Sequence, residues 1–210
     1  MAELIDIYDL KEKFLGSQKR KKFYSEIKKE FEKRGKISRK IKSIRLILMN
    51  SKGRIYLQKR SINKSENPGL YDKTVGGHVS AGDSYDMTVL RECAEELGFP
   101  AAVLSENEFE KAVKVTDLSI ICIFRKIDEL NNFQSIRFKK DNEKFTQPYM
   151  TSIYMGYYNG AIRFVDGESS GIEVFSLKEL EQDIKTNPEK FTEDLKFMIK
   201  KYKKFLKPIK

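Results

Sequence analysis

From Gly77 to Phe99 the chain reads GHVSAGDSYDMTVLRECAEELGF, which sets five carboxylates, Asp83, Asp86, Glu92, Glu95 and Glu96, around one arginine, Arg91. Residues 84–97 contain no proline or glycine, so they predict a single helix, stopped by Gly98 just beyond its end. At about 100° per residue, Met87, Leu90, Cys93, Ala94 and Leu97 fall on one apolar arc. Glu92, Glu95 and Glu96 fall on the opposite side, within roughly 100° of one another. An exposed helix usually mixes lysine among its glutamates. Here the carboxylates stand together, and such a cluster is most simply explained by a bound cation. The plain alternative is a solvated acidic face. The preceding loop favours the cation, because Gly76-Gly77 and Gly82 allow close backbone approach where helix amides face an anion. Carboxylates for Mg²⁺ beside a loop for phosphate suit cleavage of a phosphoanhydride.

The same residues resemble the Nudix box, G-x5-E-x7-R-E-U-x-E-E-x-G-U, with U a bulky aliphatic residue. Gly77 is followed by five residues and Asp83, then by seven residues and Arg91-Glu92-Cys93-Ala94-Glu95-Glu96-Leu97-Gly98-Phe99. Three positions depart from the pattern. Asp83 stands for glutamate and is shorter by a methylene, while Cys93 and Phe99 keep apolar character at the aliphatic sites. The resemblance implies an α/β (α+β) fold, an α/β/α sandwich with a mixed sheet. It implies a Mg²⁺-dependent hydrolase, with Mn²⁺ as a possible substitute, acting on a nucleoside diphosphate linked to another group. Glu92, Glu95 and Glu96 would be the metal-site residues and Gly77 a backbone ligand. Arg91 would orient a glutamate, and Glu92 and Glu95 would carry the catalysis with it. Gly77, Asp83 and Gly98 complete the motif.

Outside the motif, Arg60 and Lys73 stand near strand ends that flank it and are candidate substrate-phosphate contacts. His78, the only histidine, is a candidate substrate contact by its place in the motif loop. Glu168 and Glu173 are candidates for a further acidic contribution. The stretch LYDKTVGGHVSAGDS also resembles the Nudix-fold isopentenyl-diphosphate isomerases, but Gly76 stands where their catalytic cysteine would, and there is no second histidine. The complete glutamate set favours hydrolysis. A non-catalytic nucleotide-sensing module is the remaining alternative, and such modules often lose motif carboxylates that this chain keeps.

With 210 residues and 40% hydrophobic content, the chain can bury a sizeable core. No run approaches the roughly 20 apolar residues of a membrane span. The start, MAELIDIYDLKEKF, has early acids and no apolar stretch, which argues against a secretory signal. Cys93 and Cys122 read as isolated reduced thiols and point to the cytoplasm. The net charge of +10 admits RNA as a partner, although the lysines are spread along the whole chain.

Taken in order, residues 1–42 are expected to form an N-terminal helical extension, 43–187 the catalytic domain, and 188–210 a terminal helix on the domain or on a second copy in a homodimer. Residues 19–34 form an amphipathic helix through Phe23, Ile27 and Phe31, with a basic outer face that suits RNA 5′ ends or simple solvation. Residues 44–49 (IRLILM) and 54–60 predict a hairpin turning at Asn50-Ser51-Lys52-Gly53. Strand character recurs at 113–115, 119–127, 149–158 and 173–175. Residues 128–146 read as a polar loop with a short strand at Ile136 and Phe138. Ser176 and Glu179 form a capping box, and Pro188 opens a final helix to Leu206.

Overall fold

The computed structural model describes residues 3–139, 143–163 and 169–209. The chain opens with a hairpin, β1 (Leu4–Asp9) and β2 (Phe14–Lys19), and then the helix α1 (Arg20–Arg34), whose buried residues are Phe23 and Ile27. Residues 1–42 thus hold two strands as well as the expected helix, and β1 pairs with the central strand, β3 (Arg39–Met49).

In β3, Ile44, Leu46 and Leu48 pack to one face of the sheet, and Ile47 and Met49 to the other. The turn at Asn50 and Gly53 leads into β4 (Arg54–Arg60). Then come β5 (Tyr71–Asp72), β6 (Val75–His78), α2 (Tyr85–Glu92), β7 (Ala101–Val103) and α3 (Glu106–Val115). The long strands β8 (Cys122–Phe138) and β9 (Lys144–Tyr157) are followed by β10 (Ser169–Ser176), α4 (Leu177–Thr186) and α5 (Glu193–Tyr202).

The sheet order is β10-β4-β3-β9-β8-β7. One edge of β3 runs parallel to β9 from Ile41 to Met49, while the other edge is shared by β1, β6 and β4. This sharing lodges Gly76, Gly77 and His78 in the middle of the sheet. Helix α2 packs on the face of Ile44, Leu46 and Leu48. Helices α3, α4 and α5 cover the other face through Phe109, Leu180, Leu195 and Met198. The result is three layers, α/β/α, around a mixed sheet. Among the described residues no helix is long and apolar enough to cross a membrane.

Three expectations fail for local reasons. Residues 128–146 do not form a loop; their described part lies in the β8–β9 hairpin. Register shifts at Lys126/Asp128 and Leu130/Phe133 break the two-residue alternation. The inward side chains, Phe133, Ser135 and Phe145, are nevertheless buried. Residues 113–115 are not a strand but the last turn of α3, which a Ser105–Glu108 capping box starts and which buries Phe109 and Val113. The final helix does not run unbroken from Pro188. A 3₁₀ turn, Pro188–Lys190, precedes α5, and Thr192 restarts the helix by accepting from the Leu195 N–H at 3.2 Å. Its apolar stripe packs into this chain's own core.

Candidate active site

Ser84 caps α2 by accepting from the Met87 N–H at 3.1 Å. After Glu92 the helix widens into a π-helical turn, Cys93–Leu97, which Gly98 ends at φ 72°. The buried arc differs from the expected one. Val89, Cys93 and Leu97 are buried, whereas Met87, Leu90 and Ala94 are exposed. The helix lies rotated so that the adjacent stripe, Thr88 and Glu92, also turns inward, and Glu92 is only 8% exposed. Glu92 therefore meets the sheet, while Glu95 keeps the solvent side that amphipathicity predicts and Glu96 lies between them.

The place it meets is Gly77. A Cβ there would stand 2.5 Å from Glu92 Cδ and Oε1, so only glycine lets the carboxylate lie against β6. Arg91 ties the parts together. Its Nη1 donates to Glu92 Oε1 at 3.1 Å and Glu95 Oε2 at 3.4 Å, and its Nη2 donates to the His78 carbonyl at 3.2 Å. Asp83 Oδ2 lies 3.9 Å from Arg91 Nε, so the shorter acid still reaches the arginine. Burial raises the pKa of Glu92, and Arg91 offsets only part of that effect.

Glu92, Glu95 and Glu96 line a cavity of about 210 Å³ together with Gly76 and Gly77. Among the described residues no three acidic, histidine or cysteine side chains already converge on one point; Arg91 holds an oxygen of two of the glutamates. The donor set still suits a hard divalent cation, since three carboxylates supply oxygen ligands and the cradle at Gly77 brings one against the backbone. Gly77→Ala is expected to weaken Mg²⁺ binding about 10–100-fold by displacing Glu92. The flexible end of Glu92 can move aside, so the melting temperature should hold within about 3 °C. Metal titration beside thermal melts checks both parts.

A second cavity, of about 310 Å³, shares Arg20, Gly76, Gly77 and His78 with the first. Lys73 and Arg60 both line it. Lys73 Nζ lies 3.2 Å from Asp72 Oδ1, and burial lowers its pKa against the attraction of that aspartate. Burial alone would raise the pKa of Asp72, but Lys73 and Arg60 outweigh it and hold the carboxyl well below the usual range. Arg60 spends its donors on the chain itself, at the Glu66 carbonyl (2.8 Å) and Asn67 carbonyl (3.2 Å), and so fastens the 61–69 loop.

His78 Nε2 lies 2.7 Å from the Tyr24 hydroxyl. Burial, then Arg20, Arg137, Arg45 and Lys73, push its pKa well below the ordinary value, so the imidazole is neutral. Glu173 lines neither cavity, and the Tyr71 hydroxyl donates to it at 3.5 Å. Glu168 lies outside the described residues.

Sequence reasoning misses six contributors. Arg20, Tyr24 and Lys28 recur every fourth residue along α1 and line the second cavity. Their spacing was a usable signal, hidden by the other lysines around the helix. Arg137 and Tyr149 come from the hairpin misread as a loop, and Arg137 Nη2 donates to the Tyr149 hydroxyl at 2.6 Å. Arg45, the one charge within IRLILM, pairs with Asp194 at 2.9 Å.

The model of the NUDIX domain matches residues 39–195. The chain belongs to the NUDIX family. It is 38% identical over 106 residues to an uncharacterized Nudix hydrolase of Pseudomonas aeruginosa, covering 50% of this chain and 56% of that one. It is 37% identical over 95 residues to a prenyl-diphosphate phosphatase of Methanosarcina mazei, covering 45% and 49%. These matches span about half the length of the curated relatives. The crystal structure of a Deinococcus radiodurans protein superposes with a TM-score of 0.62 at 19% identity, covering 94% of this chain and 98% of that one, and shows the shared fold. The NUDIX match begins at residue 39, so β1, β2 and α1 lie ahead of it.

Proposed function

We propose that this NUDIX protein is a divalent-metal-dependent hydrolase that cleaves the phosphoanhydride bond of a nucleoside diphosphate linked to another group. The observation that supports the reading is the placing of Glu92, Glu95 and Glu96 at Gly77, in a cavity that shares Arg20, Gly76, Gly77 and His78 with a cation-rich one. Glu92, Glu95 and Glu96, with the Gly77 carbonyl, would hold Mg²⁺ or Mn²⁺. When bound, the ion neutralises phosphate charge and acidifies water.

The chain's own groups do the rest. Arg91 holds the Glu92 carboxylate through a charge-assisted bond, with Asp83 on its other flank. Arg20, which lines both cavities, and Lys73, which packs against Gly76, bring positive charge to the diphosphate. Glu95 has a side chain 62% exposed and is the glutamate that meets the incoming water and takes its proton. His78, being neutral, positions substrate through a hydrogen bond and does not add charge.

Isomerase chemistry is disfavoured because Gly76 stands at the cysteine position and the chain has a single histidine. A Cβ at Gly76 would lie 2.5 Å from Lys73 Cε, so the absent side chain leaves room for the lysine end beside Gly77. A prenyl diphosphate is the second reading, prompted by the Methanosarcina relative. The larger cavity, lined mainly by charged, hydroxyl and amide side chains, offers an isoprenoid tail little apolar wall.

The test is a phosphate-release assay over a panel of nucleoside diphosphate derivatives and a short prenyl diphosphate. Turnover with Mg²⁺ that chelation abolishes is expected for a nucleotide member. The reading fails if nothing turns over with Mg²⁺ or Mn²⁺, or if Glu96→Gln leaves turnover unchanged.

A further inference from the structure

The larger cavity has more positive charge than its own acids can neutralise. Seven lysine and arginine side chains line it against three carboxylates. Asp194 pairs with Arg45, and Asp72 serves both Arg60 and Lys73. Glu66 is likewise shared, lying 2.6 Å from Arg137 Nη1 and 3.9 Å from Lys28 Nζ. Arg20 pairs besides with Glu3, which lies outside this lining, at 2.8 Å; the lining itself remains richer in cations than in acids, around a partly enclosed space whose walls screen poorly.

A diphosphate seated at Gly77 would meet Arg20, which lines both cavities, and Lys73, which packs against Gly76. Lys28 and Arg137 line the same cavity from two different elements, and neither borders the glutamate cavity. Lys28 belongs to the stripe Arg20, Tyr24, Lys28 on α1, which precedes the matched domain. Arg137 belongs to β8 and is braced by Tyr149, whose hydroxyl lies 3.0 Å from that of Tyr24. The two walls are therefore joined, and their cations converge on one shared acid.

We propose that the space between α1 and the β8–β9 hairpin is a subsite for a second anionic group of the substrate, a terminal phosphate or carboxylate on the moiety attached to the diphosphate. The proposal rests on the hydrolase reading for the position of the diphosphate. It makes the N-terminal segment a specificity element: residues ahead of the family's domain select substrates whose far end is charged. A cavity of about 310 Å³ lies near the lower end of the roughly 300–1,000 Å³ typical of ligand sites. It admits a compact acidic terminus and excludes a folded polyanion.

The experiment uses the full chain and three nucleoside diphosphate derivatives that differ only in ending with a hydroxyl, a phosphate or a carboxylate. Wild-type kcat/KM is expected to favour one of the anionic ends by about tenfold or more. Lys28→Glu and Arg137→Gln should each cut that preference about tenfold, and added salt should narrow it. The Lys28 side chain is 39% exposed with a single long ion pair, so its reversal should fold even if Arg137→Gln does not. Calorimetry of the same three ligands in chelator reads the preference without turnover. Equal rates and equal binding for all three, or a preference that survives Lys28→Glu, overturns the subsite. If nothing is hydrolysed with metal present but an anionic end still binds more tightly, the hydrolase reading fails and the subsite stands.

Discussion

Glu92→Gln is expected to lower kcat/KM by about 10²–10⁴-fold without loss of fold. Glutamine keeps the shape that fits against Gly77 and keeps an oxygen for Arg91, but it removes the charge that a metal site needs. The sign of the stability effect follows from the raised pKa of Glu92, whose cause is burial. A carboxyl whose folded pKa lies above its unfolded one makes the native state less stable once it ionises, so that cost is present near pH 7 and glutamine relieves it. The melting temperature at pH 7 should therefore hold or rise. Glu95→Gln is the contrast. Its side chain is 62% exposed and its bond to Arg91 is the longer, 3.4 Å, so its removal should leave the cavity's shape and the melting temperature untouched and act on metal binding and turnover. Steady-state kinetics on the active panel member, with thermal melts in parallel, reads both. A Glu92→Gln enzyme within about threefold of wild type would remove Glu92 from the mechanism.

Asp194→Ala is expected to be the most destabilising of the single changes considered, by about 3–5 kcal/mol. Arg45 is 3% exposed, and its Nε and Nη2 donate to Asp194 Oδ2 at 3.1 and 2.9 Å. Ser135 Oγ donates to both oxygens of the same carboxylate, at 2.9 and 3.0 Å. Alanine would strand a buried guanidinium between the rings of Phe133 and Tyr149, with centroids 4.1 and 5.2 Å away. At roughly 2–4 °C per kcal/mol for a chain of this size, the melting temperature should fall by roughly 6–20 °C. Arg45→Met with Asp194→Leu should recover most of that loss, because neither charge is then left alone. The double-mutant cycle measures the pair directly. A fall below about 2 °C for Asp194→Ala would mean that Arg45 is held by Thr151 and Ser43, to which its Nη1 donates at 2.6 and 2.9 Å, more than by the acid.

The same ion pair shows why the site was only partly readable in advance. Arg91, Glu92, Glu95, Glu96, Gly77 and Asp83 fall within one short stretch, so turn and helix geometry alone bring them together, and their spacing was enough to group them. Arg45 and Asp194 lie 149 residues apart, and Tyr24 and His78 lie 54 apart. No local rule relates such positions. The 128–146 segment was misread for a related reason. Its strand is bent by register shifts, and a bulge removes the alternation by which a strand is recognised. The reading of Arg60 as a phosphate contact also met the limit of one-dimensional inference. An arginine beside a motif has the right charge, but here the structure turns most of its donors onto the backbone of its own loop.

What the sequence by itself determined is the chemistry available: a helix with three glutamates and an arginine at set spacing, and glycines where backbone must come close. Those are properties of contiguous residues, governed by helical periodicity and turn geometry. Only the tertiary structure decided which way that helix faces. The sheet offers Gly77 a place without a side chain, so the helix turns Glu92 inward and leaves Met87 and Leu90 in solvent. The fold likewise decided that an N-terminal helix, a hairpin and the start of the last helix all border one cation-rich cavity, because β3 bonds to β1, β6 and β9 at once.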